Sequence, residues 1–511
     1  MKIKNHLQRY SISTLSLFSL FFSTLIIASN AQAANATIST TRPKLVVFLV
    51  FDQLRADYLL KYKEEFVKNS SSKLGGFNYL LENGSYYPYA EYNVLQNMTC
   101  PGHAMISTGS WPINTGISLN EWYDKETKKT VYCVEDEKYD RSPRRLATTT
   151  LSDEFKALDI PSKVFGVALK DRSGIMLSGR KADGVFWFNE KNWQWETSKF
   201  YKDLPTWMGP YNSKISKIKG EKKWLASKWG VEATINLGQE IILNEKLGKN
   251  KGTDFLFMSF STHDIAGHTY GPNSKEMKEL TLAEDLQIAR FMNFMRSKFQ
   301  LSKDVLFVLT ADHGIPASIE YSNLNKVEAE FINEIEVIEK IYSELNKMYS
   351  PKEKQEWFSS FKSLHYYAND VVLEKLSINK KEFLETCRKI ILKQNQLEEV
   401  LIPSSFTIEK IINPQLRAQV DNSFVGHQWG DLILVPRPYS MNKSQIVLVN
   451  HLTGYVYDRT VPLILVGDAF RRQTFYQKAY IVDIAPTVSA VLHSLPGAKS
   501  DGRILYETFR N

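Results

Sequence analysis

The chain alternates between short apolar runs and longer stretches of helical period. Lys44-Leu45-Val46-Val47-Phe48-Leu49-Val50-Phe51 is apolar from its second residue and ends at Asp52. A run without polar alternation predicts a strand covered on both faces, as in a parallel sheet. Three more runs share this character. Ser162 to Leu169 delivers Lys170-Asp171-Arg172, and Thr253 to Phe260 runs into Ser261-Thr262-His263-Asp264-Ile265-Ala266-Gly267-His268. Asp304 to Ala311 ends in Asp312-His313-Gly314. Val231 to Lys246 reads as a helix; Leu282, Leu286, Ala289, Met292, Met295 and Phe299 repeat at three- and four-residue steps, an amphipathic helix packed on a core. Asp431 to Pro436 and Val461 to Gly467 return to strand pattern. Asp483 to His493 closes the chain with a helix, Asp483 its cap and Pro486 tolerated in the first turn.

Repeated strand-then-helix alternation predicts an α/β fold, a central and largely parallel sheet flanked by helices. The core is expected in two parts, residues 41–314 and 426–511, with a cap region inserted between them at 315–425, where the chain is charged, helical and aromatic. A smaller insertion is expected at about 186–230, rich in Trp, Tyr and Lys without a period. A chain of 511 residues is long enough for a large domain with such insertions.

Asn97-Met98-Thr99-Cys100-Pro101-Gly102-His103-Ala104 reads as the mouth of a helix, with Thr99 able to cap and Pro101 suited to the first turn. Such a mouth offers backbone N–H groups and a positive dipole end to an anion such as phosphate. A hydroxyl there is either a cap or a nucleophile, and the rest of the chain has to decide which.

Residues 1–33 carry Lys2, Lys4 and Arg9, then an apolar stretch from Ile12 to Ile27 and a small-residue Ala31-Gln32-Ala33 site, the pattern of a cleaved secretory signal peptide. A periplasmic or secreted protein without a stable membrane anchor is expected. Removing that leader's three basic residues lowers the formal charge from +8 to +5, and no dense Lys/Arg block suggests a nucleic-acid partner. Three cysteines, Cys100, Cys133 and Cys387, allow at most one internal disulfide and exclude a four-cysteine zinc site. Whether Cys100 pairs with Cys133 or stays free is left open, as is the oligomeric state.

The strand ends gather one kind of chemistry. Asp52, Asp264 with His268, and Asp312 with His313 all fall where a parallel sheet presents its ligand edge, and His451 lies in a loop before Val461. Carboxylate oxygen mixed with imidazole nitrogen suits Zn2+.

With Thr99-Cys100-Pro101-Gly102-His103, Asp264-x-x-Gly267-His268-x-x-Gly271-Pro272, Asp312-His313-Gly314 and His451 followed by Tyr457-Asp458 and Val461-Pro462, the chain from about 43 to 506 resembles the alkaline phosphatase superfamily. Within it, the resemblance is to the type I phosphodiesterase/nucleotide pyrophosphatase group. It implies two zinc ions: one held by Asp52, Asp312, His313 and the Thr99 oxygen, the other by Asp264, His268 and His451. It further implies that Thr99 is the nucleophile and passes through a phosphothreonine intermediate. Asn120 matches a phosphate-contacting Asn, and Lys170 with Arg172 matches the Lys-x-Arg pair of the periplasmic alkaline phosphatase branch. Two cations favour a monoester dianion over a diester, so a phosphomonoesterase acting on small-molecule phosphate monoesters is expected.

Some positions depart from the family pattern. Asn450-His451-Leu452-Thr453 stands where Thr-His-Gly-Ser is usual, and Thr460 stands where a His often precedes Val-Pro. His427 is a rival ligand read as a loop or cap residue; His103 and His263 are read as supporting or structural. A sulfatase is rejected because Pro101 follows Cys100 directly and the required Arg is missing. The remaining alternatives are a phosphodiesterase or nucleotide pyrophosphatase using the same metals, and a non-catalytic protein stabilised by them.

Overall fold

Leu45–Phe51 is buried at every position, and the large sheet is built outward from it. The structure, a computed structural model, describes residues 41–215, 224–405, 413–443 and 447–510. The signal peptide read at 1–33 lies outside the described residues. Strands Asp254–Phe260 and Val305–Ala311 flank Leu45–Phe51, both parallel to it and level with it from Leu45 to Phe51. Equal lengths in one register make the next residues of all three strands, Asp52, Ser261 and Asp312, emerge together at one edge. Apolar side chains at both faces fix that register, because a one-residue slip would turn every side chain to the other face.

Among the described residues nine strands form this sheet. Beyond Asp254–Phe260 lie Val164–Ala168, Gly184–Asn189 and Gln194–Glu196; beyond Val305–Ala311 lie Thr460–Val466, Ser85–Glu91 and Gln473–Thr474. The sheet is mixed: Thr460–Val466 runs antiparallel to Val305–Ala311. That reversal matters, since the start of Thr460–Val466 then faces the same edge as the ends of its parallel neighbours. The loop carrying His451 arrives there as a result.

Several expectations change in detail. The segment expected as an insertion from Phe186 begins inside the strand Gly184–Asn189, which pairs in parallel with Val164–Ala168. Its aromatic residues are core: Phe188 stacks on Trp224 and meets the fully buried Trp195 edge-on. On helix Lys275–Lys298 the buried face includes Glu284 and Asp285, whereas Leu286 is exposed. The two acids are buried because each has a partner: Glu284 pairs with His263, and Asp285 accepts backbone N–H groups from Val67 and Phe77. Asp483 flanks the helix Ile484–Leu492 without capping it; its carboxylate accepts from Tyr480 N and Arg503 N instead.

A second sheet of four strands, in the order Phe358–Lys362, His365–Ala368, Leu432–Pro436 and Leu397–Leu401, lies within the expected cap and beyond its end. Leu432–Pro436 had the pattern of a return to the core, but it is hydrogen-bonded into this second sheet, antiparallel to both neighbours. Helices Glu334–Tyr349 and Lys380–Ile391 share its core, through Ile341, Leu345, Phe383 and Leu384. The chain therefore rejoins the large sheet only at Thr460.

Candidate active site

Helix Thr99–Thr108 is buried along its whole length and enters the sheet edge beside Asp312. Gly102 permits the approach, since a Cβ there would overlap the Asp312 backbone. Met98, in extended backbone, is the N-cap, so Thr99 is the first helical residue rather than the cap. The mouth offers an anion fewer donors than expected: Cys100 N–H donates to Asn120 Oδ1 at 2.8 Å, and Pro101 has no N–H. Accepting that bond fixes Asn120's amide, leaving its nitrogen as the remaining donor. Cys100 and Cys133 form a disulfide, and Cys133 N–H donates to Asn120 O at 2.9 Å, so both halves of the cystine brace Asn120.

Two groups of ligand-type residues meet at this edge. Asp52, Asp312 and His313 form one; Asp264, His268 and His451 form the other. In the first, His313 Nε2 lies 3.4 Å from Asp52 Oδ1 and 3.5 Å from Asp312 Oδ2. Asp52 Oδ1 and His313 Nε2 are buried without a hydrogen-bond partner, and Asp312 Oδ2, also buried, lies 3.1 Å from His103 Nδ1. Such atoms converging on one point fit a cation, because each would otherwise bear an unrelieved desolvation cost. In the second group His268 Nε2 is 3.2 Å and His451 Nε2 3.8 Å from Asp264 Oδ1.

The imidazoles share a design. His268 Nδ1 faces Val449 O at 2.6 Å, His451 Nδ1 faces Asn97 O at 2.7 Å, and His313 Nδ1 faces Gly314 O at 3.0 Å. A carbonyl accepts, so each Nδ1 carries a proton and each Nε2 turns towards the carboxylates; metal-binding imidazoles are commonly oriented this way. Burial pushes the pKa of His313 and His451 down, leaving their Nε2 atoms as lone-pair donors. Burial opposes a charge on His268 too, but Asp264 outweighs it and raises the pKa. Burial together with Asp264 and Asp312 pushes the Asp52 carboxyl up. The cluster thus favours added positive charge, and its mixed oxygen and nitrogen donors fit Zn2+ at both groups.

Lys170 joins the two groups. Its ammonium donates to Asp52 Oδ2 at 2.6 Å and to Asp264 Oδ2 at 2.5 Å. Burial disfavours that charge, yet Asp264 and Asp52 outweigh it and raise the Lys170 pKa. Arg172 lines a cavity of about 190 Å3 together with Thr99, Asn120, Asp264, His268 and His451. Its guanidinium donates to Tyr132 Oη at 3.3 Å, and that hydroxyl donates to Asp171 at 2.6 Å. Every site residue expected from the sequence is therefore at this edge, although Arg172 faces the cavity and Lys170 is engaged by carboxylates.

The chain belongs to the type I phosphodiesterase/nucleotide pyrophosphatase family, whose model matches residues 46–438. It is 27% identical to the alkaline phosphatase PafA of Elizabethkingia meningoseptica, over 92% of this chain and 95% of that one. It is 26% identical to the alkaline phosphatase PhoV of Synechococcus elongatus, over 94% and 97% of the two chains. The crystal structure of wild type PafA superposes with a TM-score of 0.86 at 26% identity, covering 92% of this chain and all of the other.

His103, His263 and His427 lie away from both ligand groups' converging atoms or support them from behind, as the sequence suggested. His103 is wholly buried beneath Thr99, its Nδ1 2.8 Å from Thr99 O and its Nε2 2.8 Å from Ser259 Oγ. His263 pairs with Glu284, and His427 is exposed, edge-on to Trp122. One residue escaped sequence reasoning. Gln53 donates its backbone N–H to Asp312 Oδ1 at 3.0 Å and its side-chain amide to Asp264 Oδ1 at 2.6 Å. A polar residue directly after a strand-end Asp was the only signal for it.

Proposed function

We propose that this phosphoric ester hydrolase is a secreted phosphomonoesterase using two Zn2+ and Thr99 as nucleophile. The observation that carries the reading is one cavity lined by Thr99, Asn120 and Arg172 together with a three-residue ligand group, a second such group being linked to the first through Lys170. The ligands would be Asp52, Asp312, His313 and the Thr99 oxygen at one ion, and Asp264, His268 and His451 at the other. When bound, the two cations would acidify the Thr99 hydroxyl and stabilise the departing oxygen.

The chain's own residues supply the rest. Thr99 Oγ bonds to phosphorus as the bond to the leaving oxygen breaks, giving a phosphothreonine; water then displaces Thr99 and releases inorganic phosphate. Asn120 offers its amide N–H groups and Arg172 its guanidinium to the non-bridging oxygens. Lys170, held between Asp52 and Asp264, would add its charge to the same dianion if bound cations took up those carboxylates. These charges favour a doubly charged monoester over a singly charged diester. Secretion is supported by the leader pattern at 1–33 and by the Cys100–Cys133 disulfide, which suits an oxidising compartment.

The test is kcat/KM of zinc-loaded protein on p-nitrophenyl phosphate and bis-p-nitrophenyl phosphate, with Thr99→Ala as control. Monoester preference abolished by Thr99→Ala supports the reading. Diester preference would instead favour the phosphodiesterase activity for which the family is described.

A further inference from the structure

Among the described residues of the cap, Ser363 in a tight turn reaches the cavity. Strands Phe358–Lys362 and His365–Ala368 form a hairpin whose two linking residues, Ser363 and Leu364, have φ of 53° and 68°. Left-handed backbone at both positions usually selects Asn-Gly or similar residues, so a Ser-Leu pair is disfavoured there. The surroundings hold it in place. Leu364 is buried in the cap core, and its N–H donates to Glu334 Oε1 at 3.1 Å. Ser363 O accepts from Gln96 Nε2 at 3.0 Å, while Gln96 Oε1 lies 2.7 Å from His365 Nε2. Gly430 N–H donates to His365 Nδ1 at 3.1 Å, so the His365 Nε2 carries the proton that Gln96 accepts. Gln96 stands three residues before Thr99, so the turn is tied to the entry of the nucleophile helix.

The turn holds Ser363 at the cavity wall beside Glu121, Asn442 and Asn450. Lys362 crosses to Glu121 at 2.7 Å, and Asn450 Nδ2 donates to Asn442 Oδ1 at 2.7 Å. Ser363, Asn442, Asn450 and Glu121 bring a hydroxyl, two amides and a carboxylate to the cavity that Asp264, His268 and His451 also line. Among the described residues no Phe, Tyr or Trp lines the cavity, whose only rings are the imidazoles of His268 and His451. Polar groups placed to bond a substrate hydroxyl discriminate strongly against an analogue lacking it, since they are then left unpaired.

Resting on the phosphomonoesterase reading, we propose that the Lys362-Ser363-Leu364 turn is the leaving-group wall of the site. With Asn442 and Asn450 it selects monoesters of hydroxyl-bearing alkyl groups, the polyol and sugar phosphates. Ser363 is its specificity-determining residue.

The test compares kcat/KM on glycerol 2-phosphate and ethyl phosphate for the zinc-loaded wild type, Ser363→Ala and Ser363→Gly, with inhibition by inorganic phosphate as the phosphoryl-side readout. Wild type is expected to prefer the glycerol ester. Each variant is expected to lose about tenfold on that ester while ethyl phosphate and phosphate inhibition stay within about twofold, the size of one hydrogen bond. Glycine tolerates the left-handed backbone, so agreement of the two variants separates the lost hydroxyl from a disturbed turn. An equal loss on both esters, or no wild-type preference, overturns the proposal while leaving the phosphomonoesterase reading standing. Hydrolysis of neither ester by wild type overturns that parent reading, and this one with it.

Discussion

Gln53 and Gly267 fit together: a Cβ at position 267 would overlap the Gln53 amide oxygen, so only glycine leaves room for the Gln53 side chain. Gln53 itself sits at φ 74°, left-handed backbone that a non-glycine residue adopts only when its surroundings enforce it. What it gains are bonds to Asp312 and Asp264, one from each ligand group. The glycine of the Asp264-x-x-Gly267-His268 motif thereby serves both groups, standing three residues after Asp264 on the helix of one and contacting through Gln53 the Asp312 of the other.

Loss of the Gln53 amide should therefore loosen both groups together. Gln53→Ala is expected to weaken divalent-cation binding and kcat/KM by about 10–100-fold, the usual effect of removing an outer partner of metal ligands. Titration of the metal-stripped variant with Zn2+ checks this. Retention of wild-type affinity at both sites would show that Gln53 does not hold the carboxylates.

Charge discrimination rests on two other residues. Lys170→Ala combined with Arg172→Ala should lower monoester kcat/KM by about 100-fold or more, and diester kcat/KM far less, since the lost cations face a dianion. Parallel assays on the two p-nitrophenyl esters measure it. An equal loss on both would contradict their assigned role.

The disulfide has a readable effect too. Cys133→Ser opens a cross-link spanning 33 residues, worth about 3–4 kcal/mol in the chain-entropy account. It also frees the segment that braces Asn120 and carries Tyr132. A lower Tm and a raised KM are expected, both visible in non-reducing buffer.

Asp285 supplies a pH dependence remote from the ligand groups. Burial raises its pKa from 3.8 to about 6 although Val67 and Phe77 donate backbone N–H groups to it. The folded state then holds the proton more tightly than the unfolded chain, so Asp285 lowers stability as pH rises from about 4 to about 6. The loss is on the order of 3 kcal/mol by linkage. Asp285→Asn places an amide N–H against one donor and should be less stable at low pH, but with this slope removed. Urea unfolding of both proteins between pH 4 and 7 measures the difference.

Much of the site was legible because it follows from local pattern. Apolar runs ending in Asp52 and Asp312-His313 declare both a buried strand and what its end delivers. Gln53 was not legible, since its importance depends on a left-handed backbone and on a glycine 214 positions later. The strand Gly184–Asn189 hid among aromatic residues, because a strand paired on both sides and buried on both faces shows no alternation. Leu432–Pro436 read correctly as a strand, but an apolar run does not specify which sheet it joins. The Cys100–Cys133 pairing depends on the antiparallel pair Glu121–Asp124 and Lys129–Tyr132, which returns Cys133 to the helix Thr99–Thr108, again a matter of tertiary structure.

The central claim is that Thr99 becomes covalently phosphorylated. It is tested most directly by acid-quenching the zinc-loaded protein during turnover of p-nitrophenyl phosphate and mapping its peptides by mass spectrometry. A phosphoryl group on Thr99, absent in Thr99→Ala, is the predicted result. Sustained turnover with Thr99 unmodified, accompanied by net inversion at a chiral phosphorus, would contradict it.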